Sequence, residues 1–455
     1  MSNIEIREGE YGEKTLVVEP GGNEIIPDKD RHGHAKQLFA TWMSPNLEFA
    51  TIFVGALGIG FGLTFAECII GIVIGNLLGA IGQYFLTQDG PRYGASQMVI
   101  SRAAFGKLGN ILPSGSNAFA SGIGWFAVNS VSGALALANL AHMGTLWALI
   151  IVAVVQILIA FVGHNLVQRV ERFLMPFLVV VFGFAGIVVL TQSKMGGHSG
   201  KWSGMLLVFI GATYGYAAGW NPFASDYSRY LPKNTDVKQA GKSAGLGVFV
   251  SAAILETVGA AAATAGMNPF SANPTSGFTA LLPGWLAQAV LVGIVLGSIC
   301  ANVLNIYSGA MSFVTMGVKL GSGRSRALAA LVFGILGFFL AHWAINSPAN
   351  KLEAFLLTMA YWIGPWLGVI AADKLWRKGA SVEGLLFAKR ENFAGPVAFI
   401  VGAGISIWLF ANQTYYLGTV PKNHPGFGDI AFPVGFVLSF LVYSLLGRKQ
   451  AQRGE

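Results

Sequence analysis

Charge is what this chain has least of. Only 11% of its 455 residues are Asp, Glu, Lys or Arg, against 54% hydrophobic, and its mean hydropathy is +0.59. A soluble domain carries roughly 25% charged residues, so a water-soluble globule is excluded and the chain reads as an integral membrane protein. Cysteine is nearly absent. Cys68 and Cys300 both fall in apolar runs, which argues against a disulfide framework and a thiolate metal site. The histidines are scattered without metal-type spacing. There is no GxGxxG or P-loop pattern and no low-complexity segment. No cluster of His, Asp or Glu offers acid–base or metal chemistry, so the sequence does not read as an enzyme and calls for no cofactor. The first forty residues lack a basic stretch followed by a short apolar region and a small-residue cleavage site. They read as a mobile cytosolic tail rather than a signal peptide.

Long apolar runs are abundant. A bilayer-spanning helix needs roughly 20 apolar residues, and twelve segments qualify: 47–65, 67–86, 117–138, 146–163, 173–191, 204–221, 244–265, 285–316, 327–346, 353–372, 394–412 and 429–447. Lys and Arg orient them. With the N-terminus inside, only Lys194, Lys201, Lys351 and Lys422 of the 29 basic residues fall on the outer side. Both termini are then cytoplasmic, and the multi-pass chain lies in the cell (inner) membrane. The net charge of +8 follows from this asymmetry, so the expected partners are the bilayer and a small molecule. Nothing points to nucleic acid or to an obligate protein partner.

Two spans look interrupted. Residues 211–232 place Gly211, Gly215 and Gly219 before Trp220-Asn221-Pro222. Pro222 cannot donate a backbone hydrogen bond and disfavours helical geometry at Asn221. Residues 54–62 form a second glycine-rich run in span one. Interruptions five spans apart are expected of two inverted repeats with a binding site between them. Close helix packing accounts for the glycines equally well.

Acidic groups inside a span cost several kcal/mol unless paired, wetted or neutral. Glu48, at the start of span one, and Glu256, in span seven, could exchange a proton during transport. Glu67 falls at the outer start of span two. Asp226 reads as an interfacial ion-pair or helix-end partner, and His342 as a packed neutral imidazole. Trp125 and Asn129 share a face of span three, as Asn302 and Asn305 do in span eight. Indoles offer flat stacking surfaces and carboxamides offer both donors and acceptors. That combination suits a flat neutral heteroaromatic with hydrogen-bonding edges, such as a nucleobase. Interhelical packing explains each asparagine as well.

Several motifs, in order, resemble the nucleobase:cation symport family in its purine–cytosine permease branch: Gly90-Pro-Arg-Tyr-Gly-Ala, Ser101-Arg-Ala-Ala-Phe-Gly106, Gly124-Trp125, Trp220-Asn-Pro-Phe-Ala-Ser-Asp226-Tyr-Ser-Arg-Tyr-Leu-Pro232, Asn305-Ile-Tyr-Ser308, and Pro365-Trp-Leu-Gly368 with Asp373 beyond. The match covers roughly residues 40–447. The resemblance implies an all-α polytopic membrane protein of about 12 transmembrane helices, with a LeuT-type 5+5 inverted repeat and two peripheral helices. Residues 1–41 would form a cytosolic N-terminal tail and 42–372 the transport core of spans one to ten. Residues 373–393 would be a cytosolic loop, 394–447 spans eleven and twelve, and 448–455 a cytosolic C-terminal tail. The implied activity is cation-coupled import of cytosine or purines by alternating access. Trp125 would stack on the ring and Asn129 would hydrogen-bond it. Trp220 would supply an aromatic from span six, and Asn302 and Asn305 paired polar groups from span eight. Relatives that take hydantoins share the span-three tryptophan, so allantoin, a hydantoin, a vitamin or a nucleoside stays open. Sodium-coupled relatives use span-eight hydroxyls and carbonyls from a broken first span. Here Gly297-Ser-Ile-Cys-Ala301 offers one hydroxyl, and Thr51 falls at the start of span one rather than at its break. The coupling ion is therefore H+ or Na+, with protons favoured and Glu48 as the carrier.

Overall fold

A computed structural model describes residues 23–162, 164–196, 204–317, 323–387 and 391–453. Lys201 and the first 22 residues of the expected tail lie outside the described residues. Each of the twelve expected apolar segments holds a helix. Six helices, among them Phe65–Tyr93, Val237–Ala265 and Gly284–Thr315, are individually long and apolar enough to cross a membrane. The only strands among the described residues form a two-residue hairpin, Asn412–Gln413 with Tyr416–Leu417.

The contacts come in symmetric pairs. Span two, Phe65–Thr87, packs on span six, Met205–Ala218, as span seven, Val237–Ala265, packs on span one, Phe49–Gly60. Spans three and nine pack together, as do spans eight and four. Spans eleven and twelve lie against each other and against span ten. This pairing is what an inverted 5+5 repeat produces.

Small residues set how closely these helices approach. A Cβ on Gly55 would lie 1.7 Å from the Glu256 carbonyl oxygen, and one on Gly259 would lie 1.7 Å from that of Ile52. Spans one and seven therefore touch backbone to backbone, with no room for a side chain. This corrects one expectation from the sequence. The glycine-rich run 54–62 is not a break, because Phe49–Gly60 is continuous helix and ends only at Phe61 and Gly62. Gly55, Gly58 and Gly60 serve contact, Gly62 ends the helix at a φ of 85°, and the interruption falls earlier.

Part of the expected tail is also packed. Ile26 N–H donates to Gly94 O at 3.0 Å, His32 N–H to Tyr230 O at 2.6 Å, and Arg31 Nη1 to Pro91 O at 3.0 Å. The segment from Ile26 to His32 is thereby laid across the loop after span two and the end of span six. Glu67 has a local role, closing a capping box with Thr64 at the start of span two.

Candidate functional site

Two chain breaks face each other inside the bundle. The first follows helix Gln37–Met43. Pro45 lacks an N–H, and Ser44–Asn46 forms a single 3-10 turn. Glu48 is then fully extended, with φ −147° and ψ 168°, before helix Phe49–Gly60 starts. The break thus sits at Leu47–Glu48, with Glu48 in it and Thr51 one turn beyond. The Thr51 hydroxyl reaches back to Asn46 O at 2.6 Å. The second break follows Met205–Ala218. Gly219 and Trp220 turn, Asn221–Phe223 forms a 3-10 turn with Pro222 at its start, and helix Ala224–Ser228 follows. Asn221 fastens this turn to span two, donating to Gly79 O at 3.0 Å and Gln83 Oε1 at 3.2 Å. The breaks are joined directly, since Trp220 Nε1 donates to Asn46 Oδ1 at 2.8 Å.

Span three enters beside them through a π-helical segment, Ala120–Trp125, continued by helix Phe126–Ala141. A π-bulge shifts the residues after it around the helix axis and often marks a functional site. Trp125 lies parallel to Trp220, with 7° between ring planes and 6.4 Å between centroids. A ring held between two others at van der Waals contact needs roughly 7 Å. The parallel indoles are candidate walls of a slot for a flat ligand. Tyr216 and Phe355 meet Trp125 edge-on at 5.5 and 5.0 Å. Gly219 makes room for this arrangement, because a Cβ there would lie 2.9 Å from Trp125 Cζ2.

A buried amide cluster adjoins the slot. Asn302 is fully engaged. The two hydrogens of its Nδ2 are shared among Phe126 O, Ser130 Oγ and Gln156 Oε1 at 2.9 to 3.2 Å, and its Oδ1 accepts from Asn129 at 3.0 Å and Asn305 at 3.4 Å. It ties span eight to spans three and four and has no group to spare. Asn305 differs, since its Oδ1 is buried and has no partner. Asn129 lies between two sets of groups. Glu48 Oε2 and Oε1 lie 3.1 and 3.2 Å from one side of its carboxamide, and Asn302 Oδ1 and Asn305 Nδ2 lie 3.0 and 3.2 Å from the other. With its nitrogen toward Asn302, its carbonyl meets Glu48, which requires a proton on the carboxyl. Turned over, its nitrogen donates to an ionised Glu48 and its carbonyl accepts from Asn305 Nδ2, but it then faces Asn302 Oδ1 at 3.0 Å, acceptor against acceptor. Tyr216 OH lies 3.5 Å from Glu48 and 2.5 Å from Thr51 Oγ1.

Aromatic rings flank the indole pair on both sides. On the face opposite the N-terminal segment, a pocket of about 280 Å³ is lined by Phe53, Gly124, Trp343, Lys351, Phe355 and Tyr415. Phe355 separates it from Trp125. Toward the N-terminal face, Trp42 packs edge-on against Trp220 and Tyr227, and Phe223 against Trp220.

All six site residues expected from the sequence, Trp125, Asn129, Trp220, Asn302, Asn305 and Glu48, therefore converge on one place. Asp226 lies apart from them, accepting from Gln97 N–H at 2.9 Å. His342 is exposed and stacks on Phe338 rather than packing inside. Sequence reasoning missed Asn46, Tyr216, Phe355 and Gln156. Asn46 follows Pro45, a legible turn signal. Tyr216 stands between Gly215 and Gly219 in the stretch already singled out. Nothing in the sequence marks Phe355 or Gln156.

Known proteins share this architecture. A sequence model described as "Permease for cytosine/purines, uracil, thiamine, allantoin" matches residues 25–435. YxlA of Bacillus subtilis, assigned by name to the purine-cytosine permeases, is 27% identical, over 96% of this chain and 98% of its own. A purine-cytosine permease of Saccharomyces cerevisiae is 26% identical, over 95% and 85%. Mhp1, a nucleobase-cation-symport-1 family transporter solved in a closed conformation with bromovinylhydantoin bound, superposes with a TM-score of 0.73 at 18% identity, over 93% of this chain and 94% of its own. That superposition establishes a shared fold. With the family model matching almost the whole membrane portion, the chain belongs to the family of permeases for cytosine/purines, uracil, thiamine and allantoin.

Proposed function

We propose that this permease imports a nucleobase, cytosine or a purine, together with a proton, by alternating access. The observation that carries the reading is the parallel pair Trp125 and Trp220 beside the Asn129–Asn305 amides. Two indole faces stack on any flat heteroaromatic. The amides supply selectivity, because a ligand lacking the matching edge leaves them unpaired at about 1–3 kcal/mol each. Asn305, with its unpartnered carbonyl oxygen, is the primary edge reader, and Asn129 is the second. Asn302 acts through them by holding both in place.

Glu48 supports proton coupling. No ion pair to it is found among the described residues, and an unpaired carboxylate in the bilayer interior costs several kcal/mol. A bound proton removes that cost. Loss of the proton favours turning the Asn129 amide, which changes the edge offered to the ligand. Proton and substrate then act on one carboxamide. The slot opens alternately past Phe355 and past the Trp42–Tyr227–Phe223 plug. The Lys and Arg asymmetry supports cytoplasmic termini and residence in the cell membrane.

Uptake of labelled cytosine into transporter-deficient cells tests this, with adenine, guanine, hypoxanthine, uracil and allantoin as competitors. The expected result is saturable uptake, competed by purines and blocked by a protonophore. Uptake of none of the bases would sink the substrate assignment. Uptake that needs sodium and ignores the protonophore would sink the proton. The chemistry of the slot leaves one second reading, a neutral heterocycle such as allantoin or a hydantoin, with Na+ as the coupling ion. It would show as competition by those compounds alone.

A further inference from the structure

A second buried carboxyl lies outside the slot and has no part in the mechanism above. Glu256 is in the middle of span seven and is wholly buried, as is Asn76 of span two. Asn76 Nδ2 donates to Glu256 Oε2 at 2.6 Å and to Ile72 O at 2.9 Å. The other two oxygens, Glu256 Oε1 and Asn76 Oδ1, are buried acceptors with no donor. The groups around them offer no compensating charge. Span one presents the backbone of Gly55 against the Glu256 carbonyl. Span six presents Tyr216, within electrostatic reach of Glu256, and Thr213, whose hydroxyl is spent on Gly71 O and Phe209 O. No Lys, Arg or His faces Glu256 among the described residues of the helices packed on it.

Two orphaned oxygens and one uncompensated carboxyl inside a membrane protein form an acceptor-only environment. Such an environment is satisfied by a cation and by little else. We propose that Glu256 and Asn76 form a second cation site, which takes one monovalent cation, a proton or a sodium ion, in each transport cycle. Its link to the slot is short. The helix of span one that touches Glu256 through Gly55 is the helix that begins at Glu48. Tyr216, in reach of Glu256, also contacts Thr51 and Glu48. A cation at Glu256 therefore acts on the orientation of the helix and the tyrosine that border the first break.

The inference rests on reading the protein as a cation-coupled transporter, and the test separates the two. Purified protein in liposomes is assayed for cytosine accumulation at clamped membrane potential, with proton flux and labelled-sodium flux recorded per cytosine. The wild type is expected to move one more cation than Glu256→Gln does. With a gradient worth a factor of about ten per cation, accumulation by the variant falls about tenfold. Loss of a proton identifies the ligand as H+, and loss of a sodium ion identifies it as Na+. Either outcome supports the site. Equal stoichiometry in both proteins overturns it while leaving coupled transport intact. A wild type that moves no cation overturns both readings. Should Glu256→Gln fail to fold, Asn76→Ala serves. It is expected to shift the half-saturating cation concentration at least about threefold with the cytosine KM unchanged, and no shift would overturn the site.

Discussion

The two breaks in this transporter are built alike and expose different groups. Span one breaks at Leu47-Glu48, just past the Ser44-Pro45-Asn46 turn, and span six at Trp220-Asn221-Pro222. In each, a proline removes a backbone donor and an asparagine fastens the turn to a neighbouring helix. Asn46 holds Ser251 at 3.0 Å, and Asn221 holds Gly79 O at 3.0 Å. What the turns expose differs. The first presents a carboxyl, Glu48, and the second an indole, Trp220. One break is thus suited to carry the ion and the other to carry the ring. The glycines of both spans serve mainly helix contact, so it is the proline, not the glycine, that marks a break here.

The sharpest way to divide the two breaks is to neutralise the first. Glu48→Gln keeps shape and volume but cannot exchange a proton. It is expected to lower cytosine accumulation by at least the factor carried by one proton, while exchange of internal for external cytosine persists. Combined with Glu256→Gln, accumulation should vanish and transport become equilibrative. Counterflow and net uptake measured on the same vesicles separate these outcomes. A Glu48→Gln protein that still concentrates cytosine as the wild type does would show that the first break does not carry the ion.

The second break should fail differently. Base–aromatic stacking is worth about 1–3 kcal/mol, so Trp220→Ala is expected to raise the KM by roughly 5- to 150-fold and to leave the ion stoichiometry unchanged. Trp125→Ala should do the same from the opposite wall. Binding measured by quenching of the remaining tryptophans checks both. If Trp220→Ala altered the stoichiometry instead, the division of labour between the breaks would be lost.

Much of this was legible in the sequence. The twelve spans follow from hydropathy, and side-chain chemistry with motif resemblance singles out the six residues that the structure brings together. The first break lies earlier than the glycines imply. Gly55, Gly58, Gly60 and Gly62 crowd one segment and draw attention away from a single Pro45. A glycine frees the backbone and also admits a neighbour, and sequence alone does not separate these uses. Only the partner helix does, as Gly55 shows against Glu256. The division among the asparagines was hidden for a similar reason. Asn302 and Asn305 are three residues apart on one face, but only Asn302 meets Ser130 and Gln156, and that depends on where span four lies.

Gly55→Ala and Gly219→Ala turn this lesson into the finest test of the comparison. Both add one methyl to a glycine near a break. At Gly55 the methyl would lie 1.7 Å from a backbone oxygen, which has no rotamer by which to retreat. Spans one and seven must separate, and overpacking of this kind costs typically about 1–3 kcal/mol. The expected result is a lower thermal unfolding midpoint, with a near-normal cytosine KM in the protein that remains folded. At Gly219 the methyl would lie 2.9 Å from Trp125 Cζ2, the edge of a side chain that can tilt. Stability should hardly change, but the slot narrows on the side of Trp125. A few-fold rise in KM is therefore expected, larger for bicyclic purines than for cytosine. Unfolding curves and competition assays on the two variants provide the check. If Gly55→Ala changed the KM and Gly219→Ala only the unfolding midpoint, glycine would be the hinge at the first break and mere packing at the second.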